Sequence, residues 1–195
     1  MKLEAPFRAA TPDDAEAMVE LVNFAGEGMP VYQWQRLAED GQSAWDVGRQ
    51  RAARETGGFS YTNTVLCEAD GKVAAALIGY PLDEDPEAAD YDEMPPMFVP
   101  LQQLEDQVPG TWYVNVLAAF PEQRGKGFGA SLLELAEQLA REAGCRGMSL
   151  IVSDANTGAR RLYERQGYVE QDSKPMVKEG WQNPGQNWVL LVKPF

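Results

Sequence analysis

The chain has 195 residues, 17 Lys and Arg against 30 Asp and Glu, a net charge of −13, no histidine and two cysteines. That length suits one domain with an insertion, and 44% apolar content is globular rather than disordered. The composition excludes a Ser-His-Asp or Cys-His nucleophile and any His-ligated metal, argues against a nucleic-acid surface, and leaves Cys67 and Cys145 without metal-type spacing or a disulfide framework. The opening residues lack the apolar core of a signal peptide, and no apolar run reaches about 18 residues, so the expectation is a cytoplasmic protein with no membrane partner.

Residues 7–10 read as a short strand. Thr11-Pro12-Asp13-Asp14 reads as a helix start, with Thr as N-cap and acids facing the macrodipole. This helix runs through Met18, Val19, Leu21 and Val22 to about Ala25, where Gly26-Glu27-Gly28 breaks it. A second helical region offers Trp34 and Leu37 as core contacts. A third runs from Ser43 through Trp45, Val47, Arg51 and Arg54 to Gly57-Gly58. The period then changes to two. Residues 62–68 and 72–80 read as strands joined by an Asp70-Gly71 hairpin turn, with Cys67 as a small core residue.

Residues 82–110 carry nine acidic residues, no basic one, and several prolines. They read as a long acidic loop with one short helix, inserted between two structured halves, and solvation is its plainest role. No Lys or Arg occurs anywhere in residues 73–123.

Residues 112–119 are the next strand. After a turn at 121–124, Gly125-Lys126-Gly127-Phe128-Gly129 opens a helix with an apolar stripe at Leu132, Leu135, Ala136, Leu139, Ala140 and Ala143, stopped by Gly144. Residues 148–152 form a buried strand. Residues 156–166 form a helix with Ala159, Leu162 and Tyr163 on one side. Tyr168-Val169 and residues 188–192 give the final strands, and Cys145, in a tight connection, has no assigned chemistry. The order is a mixed α/β sandwich around one sheet.

The glycine-rich turn is an anion site in physical terms. Helix N-terminal N–H groups and the macrodipole favour a phosphate, glycines let it approach the backbone, and Arg124 and Lys126 add charge. A P-loop is excluded, because Gly-Phe-Gly follows Lys126. Gly125-x-Gly127-x-x-Ala130, with Asp154 further on, fits a dinucleotide fingerprint. Against that reading, Phe120-Pro121-Glu122-Gln123-Arg124 separate the strand from the first glycine, and too few residues follow for the rest of a doubly wound sheet.

The segment Asn115-Val-Leu-Ala-Ala-Phe-Pro-Glu-Gln-Arg-Gly-Lys-Gly-Phe-Gly-Ala-Ser-Leu-Leu resembles motif A of the GCN5-related N-acetyltransferase (GNAT) superfamily. Ser153-Asp-Ala-Asn156-Thr-Gly-Ala159-Arg-Arg-Leu-Tyr163-Glu-Arg-Gln-Gly167-Tyr168 resembles its motif B, and residues 7–15 resemble its opening. The resemblance covers most of the chain apart from about 23–60 and 82–110. It implies an α/β (α+β) fold with a mixed, mostly antiparallel central sheet flanked by helices, as a single domain over 1–195.

The resemblance further implies an acetyltransferase that uses acetyl-CoA as co-substrate. Leu117, Ala118 and Ala119 would pair with the pantetheine arm, with a strand N–H, that of Leu117, polarising the thioester carbonyl. Arg124, Gly125, Lys126, Gly127, Phe128, Gly129 and Ala130 would cradle the pyrophosphate. Asn156 matches the cofactor-contacting Asn, a role compatible with helix capping. Tyr163 matches the Tyr that protonates the departing thiolate. Arg160 and Arg161 either reach nucleotide phosphates or stay solvated. The strand before motif B, Met148-Ser-Leu-Ile-Val152, offers no base, which leaves Glu27, Asp154 or a water near Asn115.

The implied activity is direct acetyl transfer to a primary amine in a ternary complex, with no metal. The alternative is a non-catalytic acyl-CoA-binding or sensing module of the same fold. If the acidic insertion lines the acceptor mouth, a cationic small molecule or peptide is favoured, with Tyr32, Trp34, Trp45, Tyr91 and Phe98 as candidate walls. A homodimer is left open, and no nucleic-acid partner is expected.

Overall fold

A computed structural model describes residues 3–195. The chain divides into two compact units, one comprising the residues up to Gly79 and Asn115–Glu134, the other Tyr80–Val114 and Leu135–Phe195. Among the described residues, seven strands are hydrogen-bonded in the order β1-β2-β3-β4-β5-β7-β6, mostly antiparallel, with β4 and β5 parallel, and six α-helices complete a mixed α/β fold.

In the first unit, β1 (Phe7–Ala9) pairs antiparallel with β2 (Thr64–Ala69), and β2 with β3 (Lys72–Pro81). The β2–β3 turn holds Asp70 at φ 52° and Gly71 at φ 72°, two positive values that match the twist of a tight hairpin. Three helices, α1 (Ala15–Ala25), α2 (Met29–Leu37) and α3 (Ala44–Ala52), bury Met18, Val19, Leu21, Trp34 and Val47 with Leu66, Ala76, Ile78 and Val116 in one core. Trp34 stacks on Phe59 with ring centroids 5.8 Å apart and meets Trp45 edge-on.

Arg8 clamps this unit's entry. Its guanidinium donates to both oxygens of Asp14 at 2.8 Å and to Glu68 on β2 at 2.6 Å. Asp14 also accepts from the Thr11 amide at 2.8 Å, which fixes the helix start.

Two expectations for these helices are corrected. Leu37 is 54% exposed; it is the last residue of α2, and the chain turns extended at Ala38, so its side chain finds no core. The third helix ends at Ala52 rather than at the glycine pair. There Ser60 draws the chain into a turn, donating to the Arg54 carbonyl and accepting from the Thr62 amide, and β2 starts only at Thr64.

In the second unit, β5 (Gly147–Ser153) pairs along its whole length with β7 (Asn187–Pro194), and β7 pairs with β6 (Val169–Pro175). The β6 strand is longer than Tyr168-Val169. Its sequence VEQDSKP is polar because it closes the strand order and one of its sides faces solvent.

α5 (Phe128–Glu142) follows β4 (Trp112–Ala119), and α6 (Thr157–Arg165) follows β5. Lys193 on β7 ties to Glu137 of α5 at 2.5 Å. The acidic insertion is more than a solvated loop. It forms α4 (Val99–Glu105) and buries Met97, Leu104 and Val108, and α4 packs on β5, β6 and β7. Gln107 just beyond it donates to Asp172 of β6 at 2.7 Å.

Candidate active site

The predicted site residues divide between the units. Leu117 to Ala130 belong to the first, Asn156 and Tyr163 to the second.

In the first unit, the strand β4 leads through a 3-10 turn at Pro121–Gln123 to the glycine-rich turn. Gly125 has φ 74° and Gly127 φ 91°, so each needs glycine for its backbone conformation, while a Cβ would meet nothing within 4 Å. The space beside the backbone is open, as an approaching anion requires. The Ser131 amide bonds the Gly127 carbonyl at 3.1 Å and closes the first turn of α5. The N–H groups of Phe128, Gly129 and Ala130 precede that bond and have no carbonyl to reach within the helix.

Arg124 is exposed, donates to the Ala119 carbonyl at 3.3 Å and lies over the Phe24 ring at 5.5 Å. Lys126 donates to Gln123 at 2.9 Å. Both cations therefore sit at the turn without a carboxylate partner among the described residues.

The β4–β5 ladder has two register positions, Trp112↔Met148 and Tyr113↔Ser149. A buried hydroxyl pair, Thr111 to Ser149 at 2.7 Å, reinforces it there. Further along β4, Leu117, Ala118 and Ala119 are half-buried and have no register partner on β5.

In the second unit, Asn156 caps α6, its side chain accepting from the Ala159 amide at 3.2 Å. Two turns along the same helix, Tyr163 is buried at 7% exposure, and its ring meets Tyr168 edge-on at 5.8 Å. Burial pushes the Tyr163 phenol up to about 12, and its hydroxyl makes no hydrogen bond among the described residues. It is a neutral donor with an uncommitted proton at any physiological pH. The Tyr168 hydroxyl is buried and lacks a partner among the described residues.

The other candidates are placed less favourably. Burial opposes ionisation of Asp154, but its carboxylate accepts from the Gln186 and Asn187 amides and the Asn187 side chain at 2.9–3.0 Å, which together hold it below the usual carboxylate range. It anchors the β6–β7 connection. Glu27 sits at φ 52° in the turn between α1 and α2. Arg160 pairs with Glu170 at 2.7 Å, while Arg161 is exposed. Of the aromatic walls, Trp34 is 4% exposed and belongs to the first unit's core, whereas Tyr91 donates to Asp106 at 2.5 Å in the second unit.

One titratable group escapes the sequence reading. Glu105, at the C-terminal end of α4, is half-buried, and its carboxylate has no hydrogen bond or ion pair among the described residues. Burial, with the Asp106 charge beside it, pushes it up to about 7. Its own charge acts on the Tyr80 and Tyr113 phenols, whose rings lie 5.9 Å apart, and Tyr163 also acts on Tyr113. The signal was in the sequence. Leu101, Leu104, Glu105 and Val108 follow the i, i+3, i+4, i+7 spacing, so Glu105 occupies a place in an apolar stripe. Nine acids in one segment obscured it.

The model of the family described as "Acetyltransferase (GNAT) family" matches residues 27–168. The protein named Acetyltransferase Atu2258, from Agrobacterium fabrum (strain C58), is 35% identical over 71 residues, which is 36% of this chain and 50% of that protein. The chain thus matches about half the length of that relative. A crystal structure described only as an acetyltransferase superposes with a TM-score of 0.66 at 21% identity, covering 96% of this chain and 98% of the other. An N-acetyltransferase from Staphylococcus aureus Mu50 gives 0.65 at 20% identity, covering 95% and 98%. These structures share the fold, and the match over residues 27–168 shows that the chain belongs to the acetyltransferase (GNAT) family.

Proposed function

We propose that the chain is an acetyl-CoA-dependent N-acetyltransferase, working in the cytoplasm, that passes acetyl directly to a primary amine in a ternary complex. One observation carries this reading. The β4–β5 ladder ends at Tyr113 and Ser149, so Leu117, Ala118 and Ala119 have no β5 partner, and backbone groups on that side can pair with an amide-bearing arm like a strand. Family membership supports acetyl-CoA as the co-substrate with that arm. The family match extends over residues of both units, which supports reading them as one domain with an insertion at 82–110.

The roles follow from the chemistry of each group. The N–H groups from Gly125 to Ala130 receive the pyrophosphate, and Arg124 and Lys126 offset its charge. The Leu117 amide polarises the thioester carbonyl and holds the oxyanion that forms when the amine attacks. Asn156 contacts the co-substrate while capping its helix. Tyr163 gives its uncommitted proton to the departing thiolate.

Direct transfer is supported by the state of the thiols. Cys67 is fully buried, and burial raises both it and Cys145, so neither is a ready thiolate for an acyl-enzyme. The insertion, with nine acids and no base, favours a cationic acceptor.

The test is amine-dependent thiol release from acetyl-CoA with spermidine, an aminoglycoside and a lysine peptide, each against a neutral amine of matched size. Intersecting initial-rate lines and faster turnover of the cationic amines are expected. Parallel lines would indicate an acyl-enzyme, and equal use of neutral and dicationic amines would sink the charge preference. Acetyl-CoA binding without turnover by any amine would favour a non-catalytic binding module.

A further inference from the structure

We propose that Phe24, near the end of α1, is a positioning residue for the co-substrate, its ring holding the Arg124 guanidinium in place for the pyrophosphate at the glycine-rich turn. The proposal rests on the acetyltransferase reading above, and it adds a residue that lies outside both motifs.

The parts all belong to the first unit. Phe120 follows β4, and its amide donates to the Ala74 carbonyl of β3 at 3.0 Å. Backbone groups alternate in direction along a strand, so the N–H and C=O of Ala119 point away from β3. That is the side on which the co-substrate arm would pair. Arg124 sits at the end of it. Its Nε donates to the Ala119 carbonyl at 3.3 Å. The 3-10 turn between the two residues is closed by the Gln123 amide on the Phe120 carbonyl at 2.9 Å and the Arg124 amide on the Pro121 carbonyl at 3.3 Å.

The central carbon of the guanidinium lies 5.5 Å from the centroid of the Phe24 ring, within cation–π range. Phe24 in turn meets Phe120 edge-on, with centroids 6.3 Å apart. Phe120 packs against the core of the first unit. The two rings therefore form a line of contact from the core to the cation. Phe24 itself is 37% exposed, so a change at this position leaves the core intact.

With Nε committed to Ala119, the two Nη groups have no hydrogen bond or carboxylate among the described residues. They form the fork that meets two phosphate oxygens at once. A free surface arginine loses rotamer freedom when it binds an anion. Here the carbonyl and the ring have already selected one arrangement, so less freedom remains to be lost when the pyrophosphate arrives.

The test is a double-mutant cycle read by calorimetric binding of acetyl-CoA. It uses wild type, Phe24→Leu, Phe24→Tyr, Arg124→Gln and the Phe24→Leu, Arg124→Gln double variant. Arg124→Gln should raise the Kd about tenfold or more, as expected for lost hydrogen bonds to a charged group. Phe24→Leu should raise it about three- to tenfold, the effect of freeing one long side chain. Phe24→Tyr keeps an aromatic face and should stay within about twofold of wild type. In the Arg124→Gln background, Phe24→Leu should change the Kd by less than about twofold, which a merely structural role would not produce. An unchanged Kd in Phe24→Leu, equal losses from Phe24→Leu in both backgrounds, or an unchanged Kd in Arg124→Gln would each overturn the positioning role while leaving the acetyltransferase reading standing. No binding of acetyl-CoA by wild type would overturn that reading, and the positioning role with it.

Discussion

Asp14 shows how one side chain serves two levels of structure. It accepts from Thr11 at the start of the first helix and from Arg8 on β1. The Arg8 guanidinium is the main reason its carboxyl sits low, at about 2. In the unfolded chain the same group titrates near ~3.9. The folded pKa is depressed, so its stabilisation is fully present above about pH 4 and is lost as pH falls toward 2. Asp14→Asn should therefore cost about 1 kcal/mol at pH 6, the size of a lost helix cap. Urea unfolding of both proteins from pH 6 to 2 should show the gap closing below pH 4, and a gap independent of pH would refute this assignment. At this scale the sequence was informative wherever a residue type has few reasons to occur. Gly125 and Gly127 take the positive φ that favours glycine, and Asn156 caps its helix. Glu105 holds a place in the apolar spacing of Leu101, Leu104 and Val108, but nine acids in one segment hide it.

The helices and strands were legible where apolar periodicity was unambiguous, as in the Asp70-Gly71 hairpin and the α5 stripe from Leu132 to Ala140, although Ala143 lies past the helix end and is exposed. They were less so where tertiary contacts decide. Leu37 obeys the helical period but ends its helix exposed, while polar β6 forms a full strand because β7 offers it a ladder. The contact between α3 and Trp34 is equally a tertiary fact. A Cβ placed on Gly48 would meet the Trp34 ring at 2.7 and 2.8 Å. Replacing a mid-helix glycine by alanine ordinarily gains up to about 1 kcal/mol. Here the Trp34 ring is buried and stacked on Phe59, so it cannot swing aside. Gly48→Ala should instead lower stability by about 1–3 kcal/mol, the range for overpacking a core. Thermal unfolding measures this, and a stabilised variant would mean that the core around Trp34 yields.

For the whole molecule, the net charge of −13 resolves into an insertion that holds nine of the acids and a cation-free run of 51 residues ended by Arg124 and Lys126. The proposed function uses both signs, with an anionic co-substrate at the turn and a cationic acceptor. With no histidine, no imidazole titrates near neutrality, and the proposed reaction leaves protonation of the thiolate to the buried Tyr163 phenol. The central claim is that Tyr163 protonates the leaving thiolate of acetyl-CoA. Its most direct test is thiol release from acetyl-CoA to spermidine by wild type and Tyr163→Phe, with acetyl-CoA affinity measured alongside. The account predicts a fall of about a hundredfold in turnover with affinity unchanged. Equal turnover by the two proteins would contradict it.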